Sequence, residues 1–395
     1  MKMRSTFLAC GLAVFAAAPV AARGGDDANT PPKTRSHVPA DAVRVPLRIV
    51  NGRPVIDARI NDAGPYGFVF DTGSPVVFLH GDMARELELA IEGTSMVGAP
   101  GGPQTMPVKE HTIDRIRIGP ATFQRLPGMS HEDAMMRNAL GAERGVIGLP
   151  TFADCLVTID YPAGQLVIAR GSLTEGDGSM PYRLDQYDMP TITLDVAGIE
   201  IDCHIDSGSM GGITLPARLE EELPLRTPPF VVGRGRTASG AFEIRRATLD
   251  GVAAIGPHRL SDPELHFNDM FPHANLGGVV LSQFAVTIDQ RAKRIRFSPG
   301  VATQEPVRMS GRRPTYGVML AMGPTGPVPV RGVVPGGIAE RAGLRADDVI
   351  VAVNGTPVDE LDMTARGAAF RAASIRLTVD RGGETHTIEM SHDMK

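Results

Sequence analysis

The sequence predicts an all-β architecture in which two β-rich lobes, related by a pseudo-two-fold axis, precede a small α+β domain. The 395 residues include 45 glycines and 32 prolines, a content that favours many turns between short strands. One set of sequence landmarks occurs twice in the same order. After residue 315, short apolar strands alternate with two helix candidates, which distinguishes the last domain from the lobes.

The repeated landmarks define the two lobes. In the first copy they are a hairpin at 43–60 with its turn at 51–52, DTGS at 71–74, GVIG at 145–148 and a strand pair at 157–168. In the second copy they are a hairpin at 191–205 with its turn at 197–198, DSGS at 206–209, ANLG at 274–277 and a strand pair at 286–297. Asp160 follows Gly148 by 12 residues, and Asp289 follows Gly277 by 12. We therefore assign lobes to residues 43–172 and 180–298.

The N-terminus indicates export. Lys2 and Arg4 precede an apolar run of about 13 residues, too short to span a bilayer, and small residues at 20–22 suit a cleavage site. Residues 1–22 are therefore predicted to be a signal peptide, with a periplasmic or extracellular location; a retained membrane anchor is the alternative. The polar, proline-rich segment 23–42 is predicted to be a disordered leader.

Composition excludes several classes of function. Hydrophobic residues make up 42% and charged residues 22%, as in globular proteins, and the net charge of −5 without a lysine-rich block argues against nucleic acid. The chain lacks HExxH and GxSxG motifs, so we expect neither a metal site nor a serine hydrolase, and no cofactor. Cys155 and Cys203 could form a disulfide or remain as buried thiols.

The duplicated DTGS and DSGS segments carry the candidate chemistry. A single such segment is typical of a tight turn, but two copies, each after an apolar strand and each before an apolar-apolar-glycine segment, are poorly explained by chance. Two aspartates brought close together cannot both ionise cheaply, so they share a proton. The ionised member can activate a water molecule, while the protonated member hydrogen-bonds the carbonyl under attack. We predict this arrangement for Asp71 and Asp206.

FVFDTGS and CHIDSGS, with their later glycine segments, resemble the two active-site loops of retropepsin-like aspartic peptidases, fused in one chain as in pepsin. The resemblance covers residues 43–298 and implies a peptide or protein substrate, an intrachain pair of lobes in a monomer, and Asp71 and Asp206 as the catalytic residues. It also implies that Thr72 and Ser207 make crossed hydrogen bonds between the loops. The remaining loop-supporting residues that it implies are Gly73, Ser74, Gly208, Ser209, Gly148 and Gly277.

Two features of the peptidase resemblance remain open. The flap tyrosine of pepsins has no clear counterpart, and either glycine-rich segment, 96–106 or 231–241, could form a flap. Ser74 and Ser209 stand where a hydroxyl could bond the outer carboxylate oxygen and lower the pKa values of the pair, which predicts a more acidic optimum than alanine would give.

Residues 315–391 resemble a PDZ domain of bacterial envelope peptidases. The segments that carry this likeness are 333–339, 342–344, 347–350 and 353–355. The likeness places the start of a carboxylate-binding loop at Tyr316, Gly317, Val318 and Met319, where a C-terminal peptide would add a strand to the sheet edge. The alternative is a domain with a packing role only.

Two functions are compatible with these features. The first is an aspartic endopeptidase that hydrolyses peptide bonds with a water molecule activated between Asp71 and Asp206. The alternative is a catalytically inactive, peptide-binding envelope protein that uses the PDZ domain. The presence of both aspartates, both following hydroxyl residues and both glycines favours the enzyme.

Overall fold

The structure is a computed structural model that describes residues 16–17, 35–50, 52–98, 105–132, 140–237, 240–300, 316–320, 326–334, 336–361, 363–370 and 372–391. The chain divides into two compact units; one consists of Phe7–Ser310, and the other contains Gly311–Lys395. Among these described residues, no helix combines the length and the hydrophobicity needed to cross a bilayer.

The first lobe is built on a 10-stranded sheet. Its strands are β1 (Ala16–Ala17), β2 (Arg35–His37), β4 (Arg48–Val50), β5 (Arg53–Ile60), β6 (Ala63–Asp71), β7 (Val77–His80), β8 (Gly93–Gly98), β9 (Thr105–Ile118), β10 (Ala121–His131) and β11 (Gly145–Gly148). Their order is β1-β8-β9-β10-β7-β11-β6-β5-β4; β2 also pairs with β10, and β9 also pairs with β5. Helix α1 (Gly81–Glu86) follows β7, and a 3₁₀ helix (Leu149–Phe152) follows β11.

The second lobe has its own 10-stranded sheet. Its strands are β15 (Arg183–Leu184), β16 (Pro190–Val196), β17 (Ile199–Ile205), β18 (Ile213–Pro216), β19 (Phe230–Thr237), β20 (Gly240–Thr248), β21 (Val252–Ile255), β22 (His258–Ser261), β23 (Glu264–Asn268) and β24 (Ala274–Leu276). Their order is β19-β20-β23-β18-β24-β17-β16-β21-β22, with β15 on β16. A 3₁₀ helix (Ala217–Glu220) follows β18, and helix α2 (Gly278–Leu281) follows β24.

The two lobes have the same topology, as the repeated landmarks predict. The path β8-β9-β10-β7-β11-β6-β5 of the first lobe corresponds strand by strand to β19-β20-β23-β18-β24-β17-β16 of the second. In both, the strand that ends at the aspartate is parallel to the later glycine-segment strand. Each long strand of the first-lobe hairpin β9–β10 corresponds to two shorter strands in the second lobe. The halves next to the hairpin turn correspond to β21 and β22, and β21 pairs with β16 as β9 does with β5.

A shared six-stranded sheet joins the lobes. Its strands are β3 (Val43–Pro46), β12 (Leu156–Asp160), β13 (Gln165–Ala169), β14 (Met180–Pro181), β25 (Phe284–Asp289) and β26 (Arg294–Pro299), in the order β14-β26-β25-β12-β13-β3. The sequence pattern assigns each closing strand pair to its own lobe, whereas β12 and β25 pair antiparallel with each other. Thr158 lies opposite Thr287, its equivalent in the repeat, and their hydroxyls hydrogen-bond at 2.9 Å. The pseudo-two-fold axis therefore passes through this pair.

One apolar core runs through both lobes and the shared sheet. Strands β12 and β13 alternate buried and half-buried residues, as strands covered on one face do, with Val157 and Ile159 facing the core. Phe152 contacts Phe70 on the strand that leads to Asp71, with ring centroids 4.9 Å apart. The strand that carries the first aspartate is therefore packed directly against the segment that leads into the shared sheet.

Part of the predicted leader is ordered, which corrects the sequence interpretation of 23–42. Residues 35–37 form β2, which hydrogen-bonds along β10, and Val38 is buried. A polar segment can do this because sheet pairing uses backbone groups, whatever the side chains are. Residues 23–34, and the signal-peptide prediction except for Ala16–Ala17, lie outside the described residues.

The two cysteines are separate buried thiols. Cys155 and Cys203 are both free, so the disulfide alternative is wrong. Burial raises the pKa of the Cys155 thiol to about 12 and also raises that of Cys203. Both side chains therefore act as small apolar groups of the core.

The C-terminal unit is a six-stranded sheet with short helices. Its elements are β27 (Val318–Leu320), β28 (Val328–Val333), α3 (Ile338–Arg341), β29 (Val349–Val353), β30 (Thr356–Pro357), a 3₁₀ helix (Val358–Glu360), α4 (Met363–Ala369), β31 (Ser374–Arg381) and β32 (Glu384–Ser391). The order is β27-β28-β29-β31-β32, with β30 on β29. Gly343 follows the first helix with a left-handed φ of 88°, a conformation that commonly ends a helix.

The buried carboxylate of Asp289, at the end of β25, is expected to make the stability of the fold sensitive to acid. This carboxylate accepts hydrogen bonds from Ser172 Oγ (2.6 Å) and from the N–H groups of Leu173, Arg291 and Ala292 (2.9–3.0 Å). Burial alone would raise its pKa, but these donors outweigh burial and the pKa is lowered. A lowered folded-state pKa stabilises the fold above the unfolded value of about 4, and this stability is lost as the pH falls through the folded value.

We expect Asp289→Asn to lower the free energy of unfolding by about 2–4 kcal/mol at neutral pH, because three N–H donors and a hydroxyl lose a charged acceptor. The difference from the wild type should shrink at about pH 3. Urea denaturation at both pH values measures this. Asp160→Asn, at the equivalent half-buried position with two donors, is the matched control and should cost less. Equal losses for the two variants would contradict the prediction.

Candidate active site

The duplicated loops of the two lobes contact each other. Each loop begins where a strand ends: Asp71 is the last residue of β6, and Asp206 directly follows β17. Asp71 lies opposite Gly148 on the parallel strand β11, and the Asp206 N–H donates to the Leu276 carbonyl at 3.0 Å. Parallel pairing therefore places both aspartates at the carboxyl ends of their strands.

The two aspartates form a buried pair. Asp71 and Asp206 are 2% and 1% exposed, and their carboxyl groups hydrogen-bond each other. The Gly73 N–H donates to Asp71 Oδ1 at 2.8 Å, and the Ser209 N–H donates to Asp206 Oδ1 at 2.9 Å. The structure thus brings together the two residues that the sequence repeat paired.

Thr72 and Ser207 make the crossed contacts expected from the sequence. The Thr72 N–H donates to Ser207 Oγ and the Ser207 N–H donates to Thr72 Oγ1, both at 2.9 Å. Each hydroxyl then donates across the interface, Thr72 to the Ile205 carbonyl at 2.7 Å and Ser207 to the Phe70 carbonyl at 2.8 Å. These four bonds connect each loop to the strand that precedes the other aspartate.

The predicted glycines occupy places where a side chain would collide. A Cβ on Gly208 would lie 2.4 Å from Asp71 Oδ2, and one on Gly73 would lie 3.3 Å from the Asp206 carboxyl carbon. Beneath the loops, a Cβ on Gly148 would lie 2.4 Å from the Ser74 carbonyl oxygen, and one on Gly277 would lie 2.5 Å from the Gly211 carbonyl oxygen. Glycine is therefore required at 148, 208 and 277, and at 73 a Cβ would be in tight contact with its neighbours.

The serines after the loop glycines do not make the contacts expected of them. Ser74 Oγ donates to the Val76 carbonyl at 2.9 Å, and Ser209 Oγ accepts from the Gly211 N–H at 3.3 Å. Both hydroxyls are turned back onto their own loops, and it is the Ser209 N–H that reaches Asp206. The prediction that these hydroxyls bond the carboxylates is therefore wrong, which removes the reason for expecting a more acidic pH optimum.

Burial sets the electrostatics of the pair. It raises the pKa of Asp206 well above its ordinary value, and the nearby charge of Asp71 raises it further. The pKa of Asp71 is also raised by burial, although the N–H groups of Gly73 and Gly208 and the charge of Arg53 oppose this. The pair therefore retains a proton.

Two further residues near the pair were missed by the motif comparison. Asn275 Nδ2 donates to Asp206 Oδ2 at 3.0 Å, whereas the equivalent residue of the first lobe is the apolar Val146. Arg53, 2% exposed, interacts electrostatically with Asp71 and Glu143. A comparison of ANLG with GVIG could have revealed Asn275, because asparagine stands there where the first copy has valine. A lone arginine in a hairpin, such as Arg53, gives no comparable signal.

Both flap candidates are hairpins that extend from their lobes. Strands β8 and β9 pair with each other, from Gly93 opposite Glu110 to Gly98 opposite Thr105. Residues 99–104 lie outside the described residues. Strands β19 and β20 pair from Phe230–Arg246 to Thr237–Gly240, with an irregularity after Val231. The two hairpins are topologically equivalent, so the structure supports either segment as a flap.

The predicted PDZ residues lie on the edge strand β27 of the C-terminal unit or directly before it. The Tyr316 side chain is buried, and its hydroxyl donates to the Ala372 carbonyl at 2.7 Å, so only its backbone can face a ligand. Gly317 has φ of 72°, and its carbonyl accepts from the Val334 N–H at 2.8 Å. Val318 and Met319 lie on β27, which has β28 as its single neighbour among the described strands.

Comparison with known families gives two matches. Residues 56–150 match the model of an aspartyl protease family, and residues 330–381 match that of a PDZ domain. No curated protein matches the chain. The matches confirm both resemblances and the fold class stated from the sequence, and the equivalent strand order extends the likeness to the second lobe.

We expect Thr72→Val to lower the free energy of unfolding by about 2–5 kcal/mol, because it leaves the buried Ile205 carbonyl and Ser207 N–H without partners. Thr72→Ser is the matched control: it retains the hydroxyl, as Ser207 does in the other loop, and should cost about 1 kcal/mol for the lost methyl group. Urea denaturation of the two variants tests the crossed bonds. A Thr72→Val loss no larger than that of Thr72→Ser would show that they contribute little.

Proposed function

We propose that this chain, which combines an aspartyl protease domain with a PDZ domain, is an exported aspartic endopeptidase. The observation that carries the proposal is the buried, mutually hydrogen-bonded pair Asp71–Asp206, on two equivalent loops joined by crossed hydrogen bonds. A purely structural turn needs neither the second carboxyl group nor burial of an ionisable pair, which is unfavourable without a compensating role.

The geometry suits hydrolysis by an activated water molecule. One carboxylate removes a proton from a water molecule as its oxygen attacks the scissile carbonyl, while the carboxylic acid of the other donates a hydrogen bond to that carbonyl. The same groups then protonate the leaving nitrogen as the C–N bond breaks. The N–H groups of Gly73 and Gly208 and the charge of Arg53 favour ionised Asp71 as the base.

The substrate is proposed to be an extended peptide segment. The flap candidates β8–β9 and β19–β20 are antiparallel hairpins, one from each lobe, that can pair with an extended chain through backbone hydrogen bonds. Such recognition requires an unfolded or loop segment of the target, which favours an endopeptidase of exposed segments.

The PDZ domain is proposed to bind the C-terminus of a substrate or partner. Gly317 turns the chain into an edge strand with no second neighbour among the described strands, where backbone N–H groups can receive a carboxylate while the peptide extends the sheet. Export is proposed from the sequence of residues 1–22, and such a location is compatible with proteolysis of envelope or extracellular proteins.

We expect Asp71→Asn and Asp206→Asn each to lower kcat/KM by at least about 1,000-fold, because one amide cannot share the proton that the mechanism moves. Cleavage of an extended-peptide library by the purified chain measures this across acidic and neutral pH. Asp114→Asn, the same chemical change at an exposed residue of β9, is the matched control and should leave turnover unchanged. Turnover that survives both active-site substitutions would refute the mechanism.

A further outcome separates the peptidase from its rival. If the wild type cleaves no library member at any pH but binds peptides, the inactive peptide-binding protein gains support.

We expect the full-length Asp71→Asn chain to bind a peptide with a free C-terminal carboxylate at least about 10-fold more tightly than the same peptide with a C-terminal amide. Gly317→Ala should remove this difference, because alanine is strained at a φ of 72° and its Cβ would lie 3.1 Å from Val334 Cβ. Gly382→Ala, at a positive φ with open space around it, is the matched control. Fluorescence anisotropy measures binding, and equal affinity for acid and amide peptides would contradict carboxylate recognition.

A further inference from the structure

A cluster of three potential metal ligands lies beside the second catalytic loop. Asp185 follows β15, His204 is on β17 two residues before Asp206, and His273 directly precedes β24. One ligand atom from each lies within 4.8 Å of the others. His204 and Asp185 are separated by 19 residues and His273 is 69 further along, so no short spacing motif in the sequence reveals them.

An ordinary ion pair explains only part of this cluster. His204 Nε2 lies 2.8 Å from Asp185 Oδ2, a distance that a hydrogen bond satisfies. The His273 ring lies against that of His204, with centroids 4.9 Å apart, and its Nε2 is buried without a hydrogen-bond partner among the described residues. Burial of a polar nitrogen without a partner is unfavourable, so the arrangement is incomplete as a set of hydrogen bonds.

The carboxylate of the cluster is already oriented. Asp185 Oδ1 accepts hydrogen bonds from the N–H groups of Tyr187 at 2.8 Å and Met189 at 3.0 Å. This leaves Oδ2 directed at His204. Outer contacts of this kind fix the direction of carboxylate ligands in metal sites.

A surface pocket reaches one member of the cluster. His273 lines a surface pocket together with Glu200, Asp202 and Glu222, and Arg218 is the one cation among the lining residues. Carboxylates around an entry attract cations.

We propose that Asp185, His204 and His273 form a binding site for a divalent transition-metal ion, with zinc as the best match. Two imidazole nitrogens and one carboxylate suit zinc and its neighbours rather than magnesium or calcium, which prefer oxygen ligands. In a tetrahedral site the ligand atoms lie about 3.3 Å apart, so the observed separations need only small side-chain movements. A water molecule or an external ligand takes the fourth position.

The ion would stabilise the surroundings of the second catalytic loop. It would join the 185–189 turn to β17 and to the start of β24, and β24 carries Asn275, the hydrogen-bond donor to Asp206. The 185–189 turn also contains Met189, whose Cε lies 3.2 Å from where a Cβ on Gly73 would be. The metal site is independent of the proposed peptidase chemistry and is tested without it.

Zinc binding to the full-length chain tests the site. After treatment with a chelator, isothermal titration with Zn²⁺ alone should give one ion per chain, and Zn²⁺ at 100 times its dissociation constant should raise the melting temperature by about 5–10 °C. Co²⁺ in its place should give the visible absorption of tetrahedral coordination. Mg²⁺ should produce neither effect.

His273→Gln should weaken zinc binding at least about 100-fold and abolish the thermal shift. His273 is only half-buried, and circular dichroism of the metal-free variant checks that it folds. His266→Gln is the matched control, because His266 is another histidine of the second lobe with a buried ring nitrogen that has no partner in the described part of the chain. This variant should bind zinc as the wild type does. Absence of zinc binding to the wild type, or equal binding by His273→Gln, would overturn the proposal.

Discussion

The crossed hydrogen bonds between Thr72 and Ser207 are the contact on which the candidate site depends. Two buried carboxyl groups at hydrogen-bonding distance repel each other once both are charged, so something other than their own attraction must keep them together. The crossed bonds do this through backbone groups on both sides, tying each loop to the strand before the other aspartate. Glycines at 73 and 208 then allow the approach, since any side chain there would meet the opposite carboxyl group.

The shared sheet supplies the second constraint. Because Thr158 and Thr287 are equivalent in the repeat and also face each other in the sheet, the symmetry of the sequence is realised as physical symmetry about one axis. Antiparallel pairing along β12 and β25 fixes the register of one lobe against the other. The crossed bonds between the loops and the strand pairing in the shared sheet therefore both fix the position of one lobe relative to the other.

The sequence predicts whatever depends on local chemistry or on repetition. Landmark order predicted two equivalent lobes, and in the predicted turn at 197–198 Gly198 adopts the positive φ that glycine accommodates. The pairing of β12 with β25 could not be predicted, because either strand satisfies its alternation equally well within its own lobe. That part of the predicted leader is ordered could not be predicted either, because residues 35–37 are held by backbone pairing, which composition does not reveal. The cluster around His204 depends on loops that are far apart in sequence.

The departures from symmetry are as informative as the symmetry. Strand register makes Arg53 of the first lobe equivalent to Met189 of the second, and Val146 equivalent to Asn275. Each lobe thus places one polar group near its aspartate, a cation beside Asp71 and an amide donor on Asp206, at different positions of the repeat. A symmetric pair would leave its proton equally on either carboxyl group, whereas hydrolysis needs one base and one acid at a given moment. Duplication accounts for the closeness of the two carboxyl groups, and the residues that differ between the copies give them distinct surroundings.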